Sequence, residues 1–476
     1  MNELKLAELM SALSHALDMT EGQPEGHCVR CAWIGMSVGR AIGLPAPQQW
    51  ELYYTLLLKD LGCSSNAARI CELYLTDDLQ FKRDFKRVDG SLPHVLRFVL
   101  DHTGLRSGLA ERFRATLNIF RNGRDIAQEL IQTRCQRGAD IARQLRFPEN
   151  VAQGIHGLDE HWDGSGKPEG LTGEQIPLYA RLALLSQVVD VFFTASGPAE
   201  AREEVLRRRG GWFDPELVDA FLALSEQDAF WQTLRDPDLG SQVLALEPAQ
   251  CCVPLDEDYL DEIAAAFGQI VDAKSPYTAG HSARVALYAD HIAAQLDLPP
   301  ERRRWLYRGS LLHDVGKLGV SNAVLDKAGK LDAAEWEAVQ MHATYTERIL
   351  GRISAFSELA RVSGAHHERL DGTGYAPPHR RPHRAGNPHH HHGRHLRRHF
   401  RRPPLSRRRA HRANPADHGQ DRGHRARSPM FRRPMQSRGS TGDAGSARPR
   451  PGRLKRALAA HQVLQSASPV LGDLCR

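Results

Sequence analysis

No uninterrupted stretch of about 18 apolar residues occurs in the chain, which argues against a membrane-spanning helix. The N-terminus, MNELKLAELMSALSHALD, lacks the basic start and small-residue cleavage site of an export signal. The eight cysteines do not fall into a disulfide framework in a chain of 476 residues, so a reducing, cytoplasmic setting is expected. His27, Cys28 and Cys31 have no second cysteine pair at finger spacing, and they read as a helix face with small sulfur residues rather than a zinc knuckle. Alternating apolar and polar runs of any length are missing as well, which argues against a sheet. From Ala376 to the end there is no Ile, Glu, Tyr or Trp, although the preceding part uses all four freely.

The net charge of +6 averages two unlike parts. Pro377 to Arg476 holds 23 Arg and one Lys against four Asp, a charge of +20, which leaves −14 on Met1 to Ala376. An acidic body argues against a broad nucleic-acid face there. The tail, crowded with Arg, His, Pro and Gly, cannot bury enough apolar area to fold alone and is expected to be disordered. Three readings of it compete: a shifted reading frame in a GC-rich gene, a basic arm that binds nucleic acid by counterion release, and a metal tract at His389 to His392. A shifted frame fits its vocabulary best.

The body contains a repeat. HCVRCAWIGMSVGRAIGLPAPQQWELYYTLLLKDLG, from His27, aligns without gaps with HSARVALYADHIAAQLDLPPERRRWLYRGSLLHDVG, from His281. Identities fall at His27/His281, Arg30/Arg284, Leu44/Leu298, Pro45/Pro299 and Asp60/Asp314. Further on, HWDGSGKP from His161 matches RLDGTGYA from Arg369, so the first copy carries an insertion of about 46 residues around DLQFKRDFKRVDGSLPHVLRFVLDHTG. The expected domains are 1–224, a connector 225–254, 255–376 and a tail 377–476.

Helical periodicity runs through both copies. Val285, Tyr288, Ala289, Ile292, Ala293 and Leu296 recur at three and four residues, the apolar stripe of an amphipathic helix. Asp332 followed by Glu335 predicts an N-cap and capping box for the helix that starts at DAAEWEAV. The fold class is all-α, two helical bundles in tandem.

Candidate ligands in the second copy lie on different helices and their ends: His281, the pair His313 and Asp314, His342, and the pair His366 and His367. Several imidazoles with one carboxylate suit iron or manganese, and also zinc. Neighbours on a helix diverge by about 100°, so His313 and Asp314 cannot both point straight at one atom from a regular face. An aspartate can instead bridge two ions while its histidine neighbour binds one, as a two-metal centre requires. Lys317, one turn after His313, is placed to stabilise charge on a phosphoryl oxygen. Gly372 and Gly374 allow a tight turn and close approach of a substrate.

The ordered series GHSARV, LLHDVGKLGV, MHATYTERIL and HHERLDGTGY resembles the HD-GYP family, metal-dependent phosphodiesterases of the HD superfamily that typically cleave cyclic di-GMP. The resemblance covers about 120 residues, from Asp258 to Tyr375. It implies an HD-type helical domain, with His281, His313, Asp314, His342, His366 and His367 as metal ligands. It also implies Asp314 and Lys317 as catalytic residues, and Lys317, Asp371, Gly372, Gly374 and Tyr375 as substrate contacts. Two divalent ions, Fe or Mn, are expected; three-metal members have a glutamate where this chain has Tyr277. A cyclic dinucleotide or other nucleotide is the implied substrate, signalling proteins are candidate partners, and no membrane is. Nucleic acid is a partner only if the tail is genuine.

Two departures matter. Ala376 stands where the family motif ends in proline. A final aspartate ligand is expected in a helix resembling ADVFDAL, but the position 28 residues beyond His367 is His395, in the tail. An alternative reading is therefore a catalytically impaired nucleotide sensor or scaffold. In the first copy the same ruler maps His313 to Lys59, His342 to Arg134, the histidine pair to Leu158 and Asp159, Lys317 to Cys63 and the final aspartate to Gln187, while His27 and Asp60 survive. Cations at ligand positions repel a metal ion, so the first copy is expected to bind none.

Overall fold

The computed structural model describes residues 4–89, 91–105, 107–248, 253–369 and 374–375, all within one compact unit. Asp371, Gly372, His395 and the whole of Pro377 to Arg476 lie outside the described residues. Among the described residues the secondary structure is helical and no strand forms, so the all-α class is as expected.

The first copy opens with α1 (Leu6–Thr20), α2 (His27–Ala41) and α3 (Ala46–Leu58). Pro47 falls in the first turn of α3, where its missing N–H would have had no helical partner. Next come α4 (Ala67–Tyr74), α5 (Asp78–Phe85), α6 (Leu92–His102) and the 36-residue α7 (Leu109–Gln144). Ile70, Phe81 and Phe98 form a small apolar cluster that anchors the inserted α5 and α6. The copy closes with α8 (Glu149–His156), α9 (Leu178–Ser196), α10 (Pro198–Arg207) and α11 (Pro215–Ser225).

By length and composition α9, at 19 residues, could cross a membrane, although polar residues interrupt its apolar run. Here it is the central core helix of the first copy, with Leu182, Ala183, Leu185, Val188 and Val189 buried. The stretch 225–254, expected to be a connector, carries α12 (Asp228–Leu234) and α13 (Leu239–Leu244). Phe230, Trp231, Leu234, Leu239 and Val243 from these helices join the core. Short helices escape a periodicity search because one or two turns show too few repeats.

The second copy consists of α14 (Glu257–Asp272), α15 (His281–Gln295), α16 (Pro300–Leu312), α17 (Asn322–Leu325), α18 (Ala333–Leu350) and α19 (Ser357–Ser363). Asp332 caps α18 and forms the expected capping box with Glu335. The stripe predicted on α15 is only partly covered: Ala293 is buried and Val285, Ala289 and Ile292 are half-buried, whereas Tyr288 is 62% and Leu296 50% exposed. In the first copy α9 packs along the equivalent α2, and no described element takes that place against α15.

One apolar core runs through both copies. α1 packs on the turn Val315–Gly319 and on α18, so first-copy residues border the segment that follows Asp314. Arg146 pairs with Glu262, and the Tyr259 hydroxyl donates to the Leu145 carbonyl at 2.7 Å, further joining the two.

Candidate metal centre

Most donors are delivered by helix ends or the turns beside them, and His342 comes from the middle of α18. Gly280, in the left-handed region at φ 67°, turns the chain into α15 so that His281 is its first residue. The Asp272 carboxylate accepts from the Ser282 N–H at 3.0 Å and the Ser282 hydroxyl at 2.7 Å, capping α15. α16 ends at Leu312; His313 keeps helical angles, and Asp314 departs to φ −104°, ψ 9°. That departure removes the divergence of a regular helix and lets both side chains reach one centre.

α18 grips this turn from the other side. Thr346 Oγ1 donates to the His313 carbonyl and accepts from the Gly316 N–H, both at 3.0 Å. A Cβ on Gly316 would lie 2.0 Å from the His342 carbonyl oxygen, so only glycine permits this approach. The first copy repeats it: a Cβ on Gly62 would meet the Arg134 carbonyl oxygen at 1.9 Å. The pairing of Arg134 with His342 across the insertion is therefore geometrical.

Asp314 is buried at the middle of the site, with different imidazoles on its two oxygens. Oδ2 lies 3.5 Å from His281 Nε2, 3.2 Å from His313 Nε2 and 2.8 Å from Lys317 Nζ. Oδ1 lies 3.5 Å from both His342 Nε2 and His366 Nε2, is buried, and has no hydrogen bond. The donor atoms form two groups, His281 with His313 and Asp314, and His342 with His366 and His367, each within 4.8 Å.

The tautomers follow from second partners. Nδ1 of His313, His342 and His366 donates to the carbonyls of Ser310, Val339 and Ser363, at 2.7, 2.5 and 2.5 Å. For His342 and His366 this leaves Nε2 as a lone pair facing inward. Burial works against a charged His313, but Asp314 raises its pKa, so its Nε2 more readily carries a proton toward that carboxylate. Nε2 of His342 and Nε2 of His366 then face each other at 3.2 Å. Two lone pairs and an unbonded carboxylate oxygen at one point are a set of acceptors without a donor, which a cation satisfies and a water molecule does not fully.

Charge states agree. Burial pushes His342 down to about 3, and burial together with His366 pushes His367 down to about 2, so both are neutral at physiological pH. Burial acts against the Asp314 carboxylate, but His313 and Lys317 hold it well below the usual range. The residues present fit a pair of divalent cations.

Tyr375 stacks on His367 with ring centroids 4.5 Å apart, and Trp336 lies edge-on to Tyr375 at 5.9 Å. A Cβ on Gly374 would come within 2.3 Å of the His367 carbonyl oxygen, so Gly374 serves close packing here. Thr346 and Asp272 were not singled out in the sequence. Asp272 had a signal, because it matches Asp18 in the repeat register, and Asp18 caps α2 through the Cys28 N–H at 2.8 Å.

The first copy fills the same place with cations. Lys59 Nζ, fully buried, sits 3.0 Å from His27 Nε2, donates to Gln187 Oε1 at 3.2 Å, and pairs with Asp60. Lys86 Nζ, from the insertion, donates to Glu21 at 2.9 Å and to Gln187 at 3.1 Å, and lies 3.7 Å from Asp60. Nothing local marked Lys86, because a lysine is by default a surface residue. Arg134 pairs with Asp159.

His27 bonds Asp190 at 2.6 Å. Burial first, and then Lys59, lower its pKa to about 4 against the pull of Asp190. An unfolded histidine titrates near 6.5, so the unfolded chain takes up the proton first. This contribution to stability is full above about pH 6.5 and is lost as pH falls toward 4, with about 2 kcal/mol lost between pH 7 and pH 5. Thermal midpoints of wild type and His27→Gln across that range check it: the acid-side decline should be shallower in the variant, and equal slopes would count against it.

Comparison with known proteins gives the same picture. The HD domain family model matches residues 116–217 and 266–381, once in each copy. A 3'3'-cGAMP-specific phosphodiesterase of Vibrio cholerae is 59% identical over 374 residues, covering 79% of this chain and 81% of that protein. A cyclic di-GMP phosphodiesterase of Pseudomonas aeruginosa is 33% identical over 193 residues, or 38% of this chain and 42% of the relative. The crystal structure of a cyclic GMP-AMP specific phosphodiesterase of V. cholerae superposes with a TM-score of 0.57 at 54% identity, covering 77% of this chain and 84% of that one. With the motifs in order and the fold repeated, the chain belongs to the HD-domain phosphohydrolases of HD-GYP type, in two tandem copies.

Proposed function

We propose that this chain is a two-metal phosphodiesterase that opens a cyclic dinucleotide by hydrolysis, with 3'3'-cGAMP favoured over the cyclic di-GMP that the motifs alone suggested. The observation that carries the reading is Asp314, whose two oxygens face separate imidazole groups. His281 and His313 would hold one ion, and His342, His366 and His367 the other, with Asp314 shared. A nitrogen-rich set with one carboxylate suits Fe or Mn. Ions bound there supply Lewis acidity toward phosphoryl oxygens and a nucleophile from water at neutral pH. Lys317, held at Asp314, would face a phosphoryl oxygen and offset its developing charge. Overall, water adds to one phosphorus, one P–O ester bond breaks, and a linear dinucleotide results. The shift toward 3'3'-cGAMP rests on the name of the 59% identical relative. The five described cysteines are free thiols, which accords with the proposed cytoplasmic setting.

The test is turnover of 3'3'-cGAMP and cyclic di-GMP by metal-stripped protein resupplied with Mn²⁺ or Fe²⁺. Metal-dependent conversion to a linear product, faster for 3'3'-cGAMP, is expected. Metal binding without turnover of either would favour a second reading, a nucleotide sensor or scaffold. The uncovered face of α15 supports that alternative, since no described residue supplies the final carboxylate. Resequencing the codons for Thr373 to Phe400 in all three frames tests whether the tail replaces that helix.

A further inference from the structure

Asp78 is the first residue of α5, in the segment inserted into the first copy, and its carboxylate is fully buried. Several of its partners belong to the second copy. Oδ1 accepts from the Asn322 N–H at 2.7 Å and the Ser321 hydroxyl at 3.1 Å, and Oδ2 accepts from Lys274 Nζ at 3.4 Å. From its own copy Lys82 Nζ stands 3.7 Å away and the Cys71 thiol 3.8 Å.

The second-copy partners lie on the two segments that carry donors to the metal centre. Lys274 sits between Asp272, which caps α15, and His281 at its start. Ser321 and Asn322 follow directly on the turn that holds Asp314 and Lys317. Asn322 Nδ2 joins the segments by donating to the Lys274 carbonyl at 2.6 Å and to Asp326 at 2.7 Å. Asp326 in turn accepts from Ser275 at 2.5 Å. One carboxylate from the first copy thus closes a buried network around both segments.

The same face of α5 continues toward the first copy's own cation-filled site. Lys82, one turn on, donates to the carbonyls of Thr20 and Cys63, both at 3.0 Å, and Lys86, one turn further, reaches Glu21 and Gln187. Spacing of four residues puts all three on one side of the helix. Other bonds between the copies, such as Arg146 with Glu262 and Glu25 with Arg348, are exposed and touch neither segment. They can hold the copies together; they cannot set the angle of His281 against Asp314.

We infer that Asp78 is a positioning residue lent by the first copy to the second copy's centre, holding 274–281 and 314–322 in register so that His281 and Asp314 face one cation. The kinetic part of this inference rests on the phosphodiesterase reading; the structural part does not. The degenerate copy then acts as a brace built into the catalytic one.

The full-length wild type is compared with Asp78→Asn and with Ser321→Ala, the milder variant, which leaves the Asp78–Lys274 pair intact. Hydrogen exchange should rise in peptides covering 272–282 and 313–326 and stay level in 178–196. Titration with Mn²⁺ alone should show affinity weakened by about 10–100-fold in Asp78→Asn, the scale of losing a residue that orients a ligand, and by less in Ser321→Ala. With cyclic dinucleotide, kcat should fall while KM holds. Unchanged exchange in both segments in both variants, or exchange raised evenly through the chain, would overturn the inference. A wild-type chain without turnover counts against the phosphodiesterase reading alone, and exchange and Mn²⁺ affinity then decide on Asp78.

Discussion

Asp314→Asn is expected to lose at least the 10²–10³-fold in turnover that removal of one electrostatic stabiliser costs, and to retain less metal than wild type. Asparagine keeps the shape of the side chain and discards its charge. Asp314 is within 3.5 Å of four imidazole nitrogens and 2.8 Å of Lys317, so the loss is felt on both sides of the centre at once. Metal content of the purified protein, read beside turnover, separates the roles of neighbouring residues. Lys317→Met should lower turnover and leave metal content near that of wild type, because an ammonium group ligates no cation. Wild-type turnover in Asp314→Asn would remove Asp314 from the chemistry.

The second large effect is expected in the copy whose centre is filled by lysines. Lys59→Met should destabilise the chain by about 3–5 kcal/mol, the cost of stranding one partner of a buried ion pair. The ammonium is buried among Asp60, Gln187 and His27, and methionine fills a similar volume without the charge. Adding Asp60→Asn to Lys59→Met should recover most of the loss, because replacing both partners is far less costly than removing one. Lys86 keeps Glu21 in the double variant. Denaturant midpoints of the two single variants and the double variant give the coupling. Simple additivity would mean that Lys59 does not offset the charge at that site. Metal content should match wild type throughout.

Much of this was legible before any coordinates. Helix-period patterning and the absence of alternating runs specified an all-α chain, because burial of one helix face is a local property. The register of the repeat placed Lys59, Arg134 and Gln187 opposite His313, His342 and the missing aspartate, and the close approaches at Gly62 and Gly316 bear out the alignment of Arg134 with His342. α12, α13 and the partly covered face of α15 were not foreseen. One or two turns leave too short a pattern, and the uncovered face depends on whether a distant segment returns to pack there.

By itself the sequence determined the class of fold, the duplication and the chemical identity of the donors, since each is carried by residue type and spacing along the chain. The tertiary structure alone decided that Asp314 turns its two oxygens to different imidazole groups, that Lys86 enters the first copy's centre, and that Asp78 crosses into the second. These depend on where a helix ends and on which remote segments close around it. A buried lysine or aspartate carries the same letter as an exposed one, and only packing removes the water that would otherwise satisfy it.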